Sequence, residues 1–292
     1  MNTQKILKAG EIAKQVKIYA RSIVKKDVPL VEIANSIETK IIELGGKPAF
    51  PCNLSINNIP AHYTPSHDDT TLAHGLLKVD FGVHVDGWVA DTAFSLDLDN
   101  NEENRKLIKA AEEALKAAEK EFKEGALLSN VGKIISETIE SHGFSPIINL
   151  SGHEIKQNDL HAGVTVPNID DKRDIKIKKG LYAIEPFVST GSGRVHDGKP
   201  SGIYQLIDDR NVRSPIAREV LEYIHKEYKT LPFCSRWLVK KFGTKALFGL
   251  KQLEDNRNLR HFAQLVENEG SKVSQAENTI LVSDEGVIVT TK

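Results

Sequence analysis

Asp80 and Asp91 flank the dipeptide Asp86-Gly87 inside a run, Lys78 to Leu98, that alternates apolar and polar residues. Asp-Gly between alternating segments is the strongest short-range signal for a two-residue hairpin turn. With Asp86 and Gly87 at its centre, Asp80 falls opposite Ala93 and Asp91 opposite Gly82, and all four share one sheet face. The two aspartates become diagonal neighbours, roughly 7–8 Å apart at Cα, and the bare Gly82 lets their carboxylates come closer. Strands are depleted in aspartate, and like charges so placed repel unless a cation lies between them. The pattern fits a metal site, although two solvated strand aspartates would give the same letters. The other face, Val79, Phe81, Val83, Val85, Trp88 and Ala90, is that of a buried sheet. His84 shares the aspartates' face but lies roughly 13 Å along the strand from Asp80, and is read as structural.

Two glutamates are placed as oddly. Glu185 interrupts the apolar run Leu181 to Phe187, and Glu277 stands just before Thr279-Ile280-Leu281-Val282. A carboxylate in an apolar strand is costly unless paired or coordinated. Three histidines sit among loop signals: His62 between Pro60 and Pro65, His153 in Ser151-Gly152-His153-Glu154, and His161 in Leu160-His161-Ala162-Gly163. The ordinary fate of a loop histidine is solvation. Carboxylate oxygens suit hard divalent cations, and imidazole adds affinity for Mn, Co, Fe or Zn. Four carboxylates and one histidine would fill a dinuclear centre, with two histidines left to orient a substrate. Spacing alone does not bring them together.

The elements that must position these residues belong to an ordinary globular chain of 292 residues, with 39 basic against 40 acidic side chains and 40% apolar residues. That composition excludes collagen-like, disordered and membrane-embedded classes, and no apolar run approaches the ~20 residues of a membrane span. No secretory signal is expected at the N-terminus. Cys52 and Cys234 are far apart and lack a CxxC partner, so a cytoplasmic protein without a thiolate zinc site is expected. Apolar spacing predicts helices through Ile12–Ile23 and Leu30–Leu44, a long helix capped by Asn100 and running to Gly125, and another over Ser129–His142. Residues Pro48 to Asp69, rich in Pro and Asn, read as a long loop. Strands are expected at Ile147–Leu150, Leu181–Ser189, Ile203–Ile207, Thr279–Ser283 and Val287–Thr290. Between Gly193 and Arg260, 14 basic and 8 acidic residues leave a net +6. That shift predicts an inserted subdomain with helices Val212–Tyr228, Ser235–Phe242 and Thr244–Leu253, although a solvated helical face would show the same charge.

Taken in order, these segments resemble the type 2 methionine aminopeptidases in their short archaeal form. The resemblance rests on Ala49-Phe50-Pro51 through Ala61-His62-Tyr63-Thr64-Pro65, Val79-Asp80-Phe81-Gly82-Val83-His84-Val85-Asp86-Gly87 with Ala90-Asp91-Thr92-Ala93, Asn149-Leu150-Ser151-Gly152-His153, Leu160-His161-Ala162-Gly163, Ala183-Ile184-Glu185-Pro186-Phe187 and Glu277-Asn278-Thr279-Ile280. It implies one α/β pita-bread domain over residues 1–292, two pseudo-symmetric halves around an antiparallel sheet, and a helical, winged-helix-like insertion over 194–260. It implies two divalent ions (Co, Mn, Fe, Zn or Ni) held by Asp80, Asp91, His153, Glu185 and Glu277, with Asp91 and Glu277 bridging. His62 and His161 would face the substrate, Glu185 would carry the proton, and Phe50 and Phe187 would wall the methionine pocket. One departure stands out: Ala276-Glu277-Asn278 replaces the family's usual Phe-Glu-His, and altered neighbours can reorient a metal ligand.

The implied activity is metal-dependent removal of the N-terminal methionine from nascent chains whose second residue is small. The implied protein is a monomer, with ribosome association through the basic segment as a further expectation. A prolidase or aminopeptidase P of the same fold is the alternative enzyme. A non-catalytic pita-bread protein that binds RNA or a partner is the other alternative, though such relatives have lost ligands that this chain keeps.

Overall fold

The computed structural model describes residues 1–292. The first half runs α1 (Thr3–Ile23), α2 (Leu30–Glu43), β1 (Lys47–Ile56), β2 (Leu76–Val85) and β3 (Trp88–Asp97), with the strands in the order β1-β2-β3. The second half repeats the helix pair as α3 (Glu102–Glu121) and α4 (Leu128–Ser141), followed by β4 (Ser145–Pro146), β5 (Ser151–Ile155), β6 (Thr165–Pro167), β7 (Gly180–Ile184) and β8 (Phe187–Ser189). Next come β9 (His196–Leu206), α5 (Pro215–Glu227), β10 (Phe233–Cys234), α6 (Ser235–Phe242), α7 (Lys245–Asp255) and β11 (Leu259–Val266). Finally β12 (Val273–Gln275) joins the sheet β12-β8-β4, and β13 (Asn278–Ser283) and β14 (Gly286–Val289) complete the sheet β14-β13-β7-β5-β6. The halves match position for position. Asp27 and Gly125 adopt left-handed backbone, Pro29 and Leu127 each form an isolated antiparallel bridge, to Leu72 and Lys176, and Gly45 and Gly143 end α2 and α4, each pair being 98 residues apart.

The hairpin register is as the sequence predicts, with Asp80 opposite Ala93 and Gly82 opposite Asp91. Asp86 and Gly87 have φ of 51° and 78°, the left-handed pair that a type I′ turn requires. The turn is gripped from outside. Gln157 donates to the Asp86 carbonyl at 2.8 Å, the Asn158 amide to the Gly87 carbonyl at 2.8 Å, and His84 Nδ1 accepts from the Gly87 amide at 3.0 Å.

Several expectations are corrected. Lys47–Ile56 is a strand inside the segment read as loop; it lies on a sheet edge, and register shifts at Pro48/Phe50 and Phe50/Asn53 absorb its prolines. Ile147–Leu150 is not a strand, and the pairing begins at Ser151. Leu181–Ser189 is split at Glu185-Pro186 into strands of two sheets. Asn101 caps α3, its Oδ1 accepting from the Glu103 and Asn104 amides, where Asn100 was expected.

Residues 196–266 form helices α5 to α7 packed on the three-stranded sheet β10-β9-β11 around their own core, including Val220, Ile224, Phe233, Leu238 and Leu250. One buried ion pair ties this unit to the first half. Arg236 gives Nη1 to Glu38 Oε2 (2.7 Å) and Nη2 to Oε1 (2.8 Å), while its Nε donates to the Pro65 carbonyl at 3.0 Å. Trp237 Nε1 and the Cys52 amide also donate to Glu38, so every lone-pair direction is used. Breaking a buried pair strands a charge, so Arg236→Leu should destabilise the protein by about 3–5 kcal/mol. Urea unfolding checks this; a loss under about 1 kcal/mol would mean that the insertion is not anchored here.

Candidate metal centre

Five acidic and imidazole side chains arrive from different elements. Asp80 stands on β2, Asp91 on β3, His153 on β5, Glu185 just past β7 and Glu277 just before β13. Hydroxyls zip the two halves together beneath them. Thr279 Oγ1 accepts from the Asp91 amide (2.7 Å) and donates to the Asp91 carbonyl (2.8 Å), and Thr92 Oγ1 donates to the Glu277 carbonyl (2.8 Å). Gly82 has no room for a side chain, because a Cβ there would lie 2.4 Å from the Phe50 ring. The same holds at Gly152, where a Cβ would meet the Ala183 carbonyl oxygen at 2.2 Å, so β5 can press His153 against β7.

All five side chains line one cavity, and ligand atoms of Asp91, His153 and Glu277 lie within 4.8 Å of one another. His153 Nε2 is 3.6 Å from Asp91 Oδ2 and 3.8 Å from Glu185 Oε1. These separations are too long for hydrogen bonds, but groups that share an ion at ~2.1 Å stand roughly 3–3.5 Å apart. Asp80 Oδ1, Asp91 Oδ1 and His153 Nδ1 are buried without partners. Burial pushes Asp80 up to about 7 against the pull of the Gln275 and Asn53 amides. It pushes Asp91, Glu185 and Glu277 well up too, and their mutual repulsion adds to the shift. His153 is held neutral by burial and then by His161. Acids crowded this closely need either protons or cations, and a neutral imidazole among them is a ready ligand.

His62 and His161 line the same cavity. His62 Nδ1 lies 3.1 Å from the Ala263 carbonyl, which can only accept, so the ring carries its proton on Nδ1 and leaves Nε2 as an acceptor. Its backbone is left-handed at φ 63°, a strain that persists where the surroundings enforce it. His161 packs edge-on against His153 at 4.4 Å, and although the residue is exposed overall, desolvation at the cavity wall, then His62 and Arg260, lower it. Phe50 lines the cavity, but Phe187 does not; it packs behind the wall with Ala61, Ile147, Val195 and Val273. The apolar wall instead includes Leu160, Ile203 and Phe262. Gln275, whose Nε2 is 3.4 Å from Glu185 Oε2, and the threonines Thr92 and Thr279 were not legible as site residues, since nothing in their spacing sets them apart.

The buried Asp, His and Glu cluster has the donor set of a metal centre, and the profile of metallopeptidase family M24 matches residues 4–236, so the chain is a metallopeptidase. A methionine aminopeptidase of Thermococcus onnurineus is 46% identical over 98% of both chains. Among solved structures, a thermophilic Arx1 superposes with a TM-score of 0.84 at 13% identity, covering 99% of this chain and 91% of that one. The methionine aminopeptidase of Thermotoga maritima superposes at 0.72 with 22% identity, covering 100% and 98%. These two establish the pita-bread fold alone. The chain belongs to the methionine aminopeptidases of family M24. It is a hydrolase that removes N-terminal methionine, so the prolidase and binding-only alternatives fall away. No helix is long and apolar enough to cross a membrane.

Proposed function

We propose that Asp80, Asp91, His153, Glu185 and Glu277 would hold two divalent ions, and that the enzyme acts on nascent chains whose second residue is small. The observation that carries this is the pile of four carboxylates, Asp91 and Glu277 buried and Asp80 and Glu185 half-buried, around one neutral imidazole, with carboxylate and ring atoms left unpartnered. The donor set is oxygen-rich with one nitrogen, which suits Mn, Co, Fe or Zn. When bound, such ions supply an acidified water and Lewis acidity at the scissile carbonyl.

This chain's residues do the rest. Glu185, on the cavity wall beside His153, is suited to take a proton from the attacking water and deliver it to the leaving amine. His62 offers its bare Nε2 to the N–H of the scissile amide, and His161 faces the carbonyl side. Phe50, Leu160, Ile203 and Phe262 exclude water from the methionine side chain. Met-Ala-Ser should be cleaved roughly 100-fold faster than Met-Asn-Ser, because a bulky second residue displaces the carbonyl by about 1 Å. Equal rates would remove the small-residue rule. His62→Ala should lower kcat/KM by roughly 10²–10³ while leaving metal content at the wild-type level. Loss of metal from that variant would make His62 a ligand.

The basic unit between β9 and β11 presents Lys240, Lys241 and Lys245 to solvent. We propose that they meet ribosomal RNA near emerging chains, a contact that would weaken steeply with salt. Absence of co-sedimentation with ribosomes at low salt would end that reading.

A further inference from the structure

The segment that presents Glu277 has a second side, where a cavity of about 250 Å³ opens between Lys17, Arg21, Phe94, Glu119 and Asn278. Lys17 reaches into it from α1. Its Nζ donates to Asn278 Oδ1 at 3.0 Å and to the Thr291 carbonyl at 3.4 Å. Asn278 Oδ1 also accepts from the Thr291 hydroxyl at 2.9 Å, while Asn278 Nδ2 donates to Glu119 Oε1 on α3 at 2.7 Å. One amide therefore joins the leading helices of the two halves at the residue next to Glu277. Only a group that both accepts and donates can do this; a neutral imidazole has a single acceptor nitrogen and a single N–H, so it could not take both bonds that Oδ1 takes.

The ammonium is expensive where it lies. Burial first and then Arg21 bring Lys17 down to about 8, with Glu277 and Glu119 pulling the other way. Its hydrogen-bond partners are neutral oxygens, so its placement is not explained by an ion pair of its own. Ala276 contributes no bulk on this side, which leaves the space that Lys17 enters.

Resting on the ligand assignment above, we propose that Lys17, Asn278 and Glu119 are positioning residues for Glu277, fixing the direction in which its carboxylate meets the ions. The fixed ammonium repels an incoming cation but favours the ionised carboxylates that the cation needs, and these effects largely offset each other. What remains is orientation, the contribution by which partners of metal ligands change affinity 10–100-fold.

The test is calorimetric titration of the metal-stripped full chain with Mn²⁺, after circular dichroism has confirmed the fold of each variant. Lys17→Met and Asn278→Ala should each weaken Mn²⁺ binding roughly 10–100-fold, and the double variant should be no worse than the weaker single one, because they interrupt one chain of bonds. Lys17→Arg should stay within about threefold of wild type by the same orientation argument, and so should Lys292→Ala, whose bond ends on the far oxygen of Glu119. A purely structural staple would lower the melting temperature of the metal-free protein and leave Mn²⁺ affinity unchanged, which overturns the proposal. Asn278→Ala removes atoms without adding any and keeps the test open if Lys17→Met fails to fold. Asp91→Asn serves as the control. If it abolishes binding while Lys17→Met and Asn278→Ala bind as wild type, the positioning network is wrong; if it too binds normally, the ligand assignment falls and the network falls with it.

Discussion

Alanine in place of Glu277 or Asp91 is expected to reduce kcat/KM for Met-Ala-Ser by roughly 10³-fold or more, because losing a ligand forfeits several kcal/mol of charge stabilisation at the carbonyl. The fold should survive. Both carboxyls are pushed upward by burial and by other acids of the cluster, so the metal-free variant should be as stable as the wild type or more so. Peptide turnover, metal content and the melting temperature of the stripped protein decide together. Turnover within tenfold of wild type for either variant would remove that residue from the centre.

The second large effect is a change in the sign of the pH dependence of stability when metal is removed. In the stripped protein Asp80 is raised to about 7, and Asp91, Glu185 and Glu277 are raised as well. Above its unfolded value near 4, each such acid binds a proton in the native state that the unfolded chain has released, so stability falls as pH rises. Four histidines act oppositely. His84 is lowered to about 4 and His161, His62 and His153 are also lowered, so each adds stability as pH climbs from its folded value to about 6.5. Between about pH 4 and 6.5 the two sets oppose each other; above 6.5 the histidines are silent, and the four raised acids outnumber the buried Lys78, whose lowered ammonium acts against them, with Lys17 joining it only from about pH 8. Stability of the stripped protein should therefore fall between about pH 6.5 and 8. Asp80, at about 7, contributes only about 0.8 kcal/mol of this, because most of its effect is spent below pH 6.5; the rest falls to the other three acids. Metal takes the place of the protons, so the loaded protein should not fall in stability above pH 6.5 and should lose stability below it, as the histidines charge in the unfolded chain. Urea unfolding at pH 5, 6, 7 and 8, with EDTA or with Mn²⁺, checks both curves. Parallel profiles would mean that the acids are not raised or do not bind the ion.

The parts of the site that were legible in the sequence were those fixed by short-range geometry. Asp86-Gly87 sets a register, a register sets a face, and so Asp80 and Asp91 could be paired across Gly82 from the letters alone. Glu185 and Glu277 were conspicuous because carboxylates are rare in apolar strands. Their convergence with His153 depends on β3 meeting Glu277 across the seam, through the Ala93–Glu277 bridge and the hydroxyls of Thr92 and Thr279, and no local signal carries a contact between residues so far apart in the chain. Glycine misled in one place. Gly152 read as a loop marker, whereas it is the position at which β5 approaches the Ala183 carbonyl. Proline misled in another, since Pro48 and Pro51 on an edge strand cost few ladder bonds. β11 was missed outright, because Leu259–Val266 mixes polar and apolar residues and is only partly buried along its length.

The separation of the halves has a consequence for how the protein is made. The core beneath the first hairpin draws every one of its buried residues from Ala9 to Phe94. Chains leave the ribosome amino end first and fold in units as they emerge, so this core can close while the second half is still being synthesised. Asp80 and Asp91 are then already opposed, but Glu277 and β13 arrive only after the rest of the second half has been made. β13 inserts between β7 and β14, so this late stretch joins the sheet and the carboxylate cluster together. A partly synthesised copy, with Glu277 still to come, holds the hairpin pair of aspartates without the glutamate that faces them across the seam.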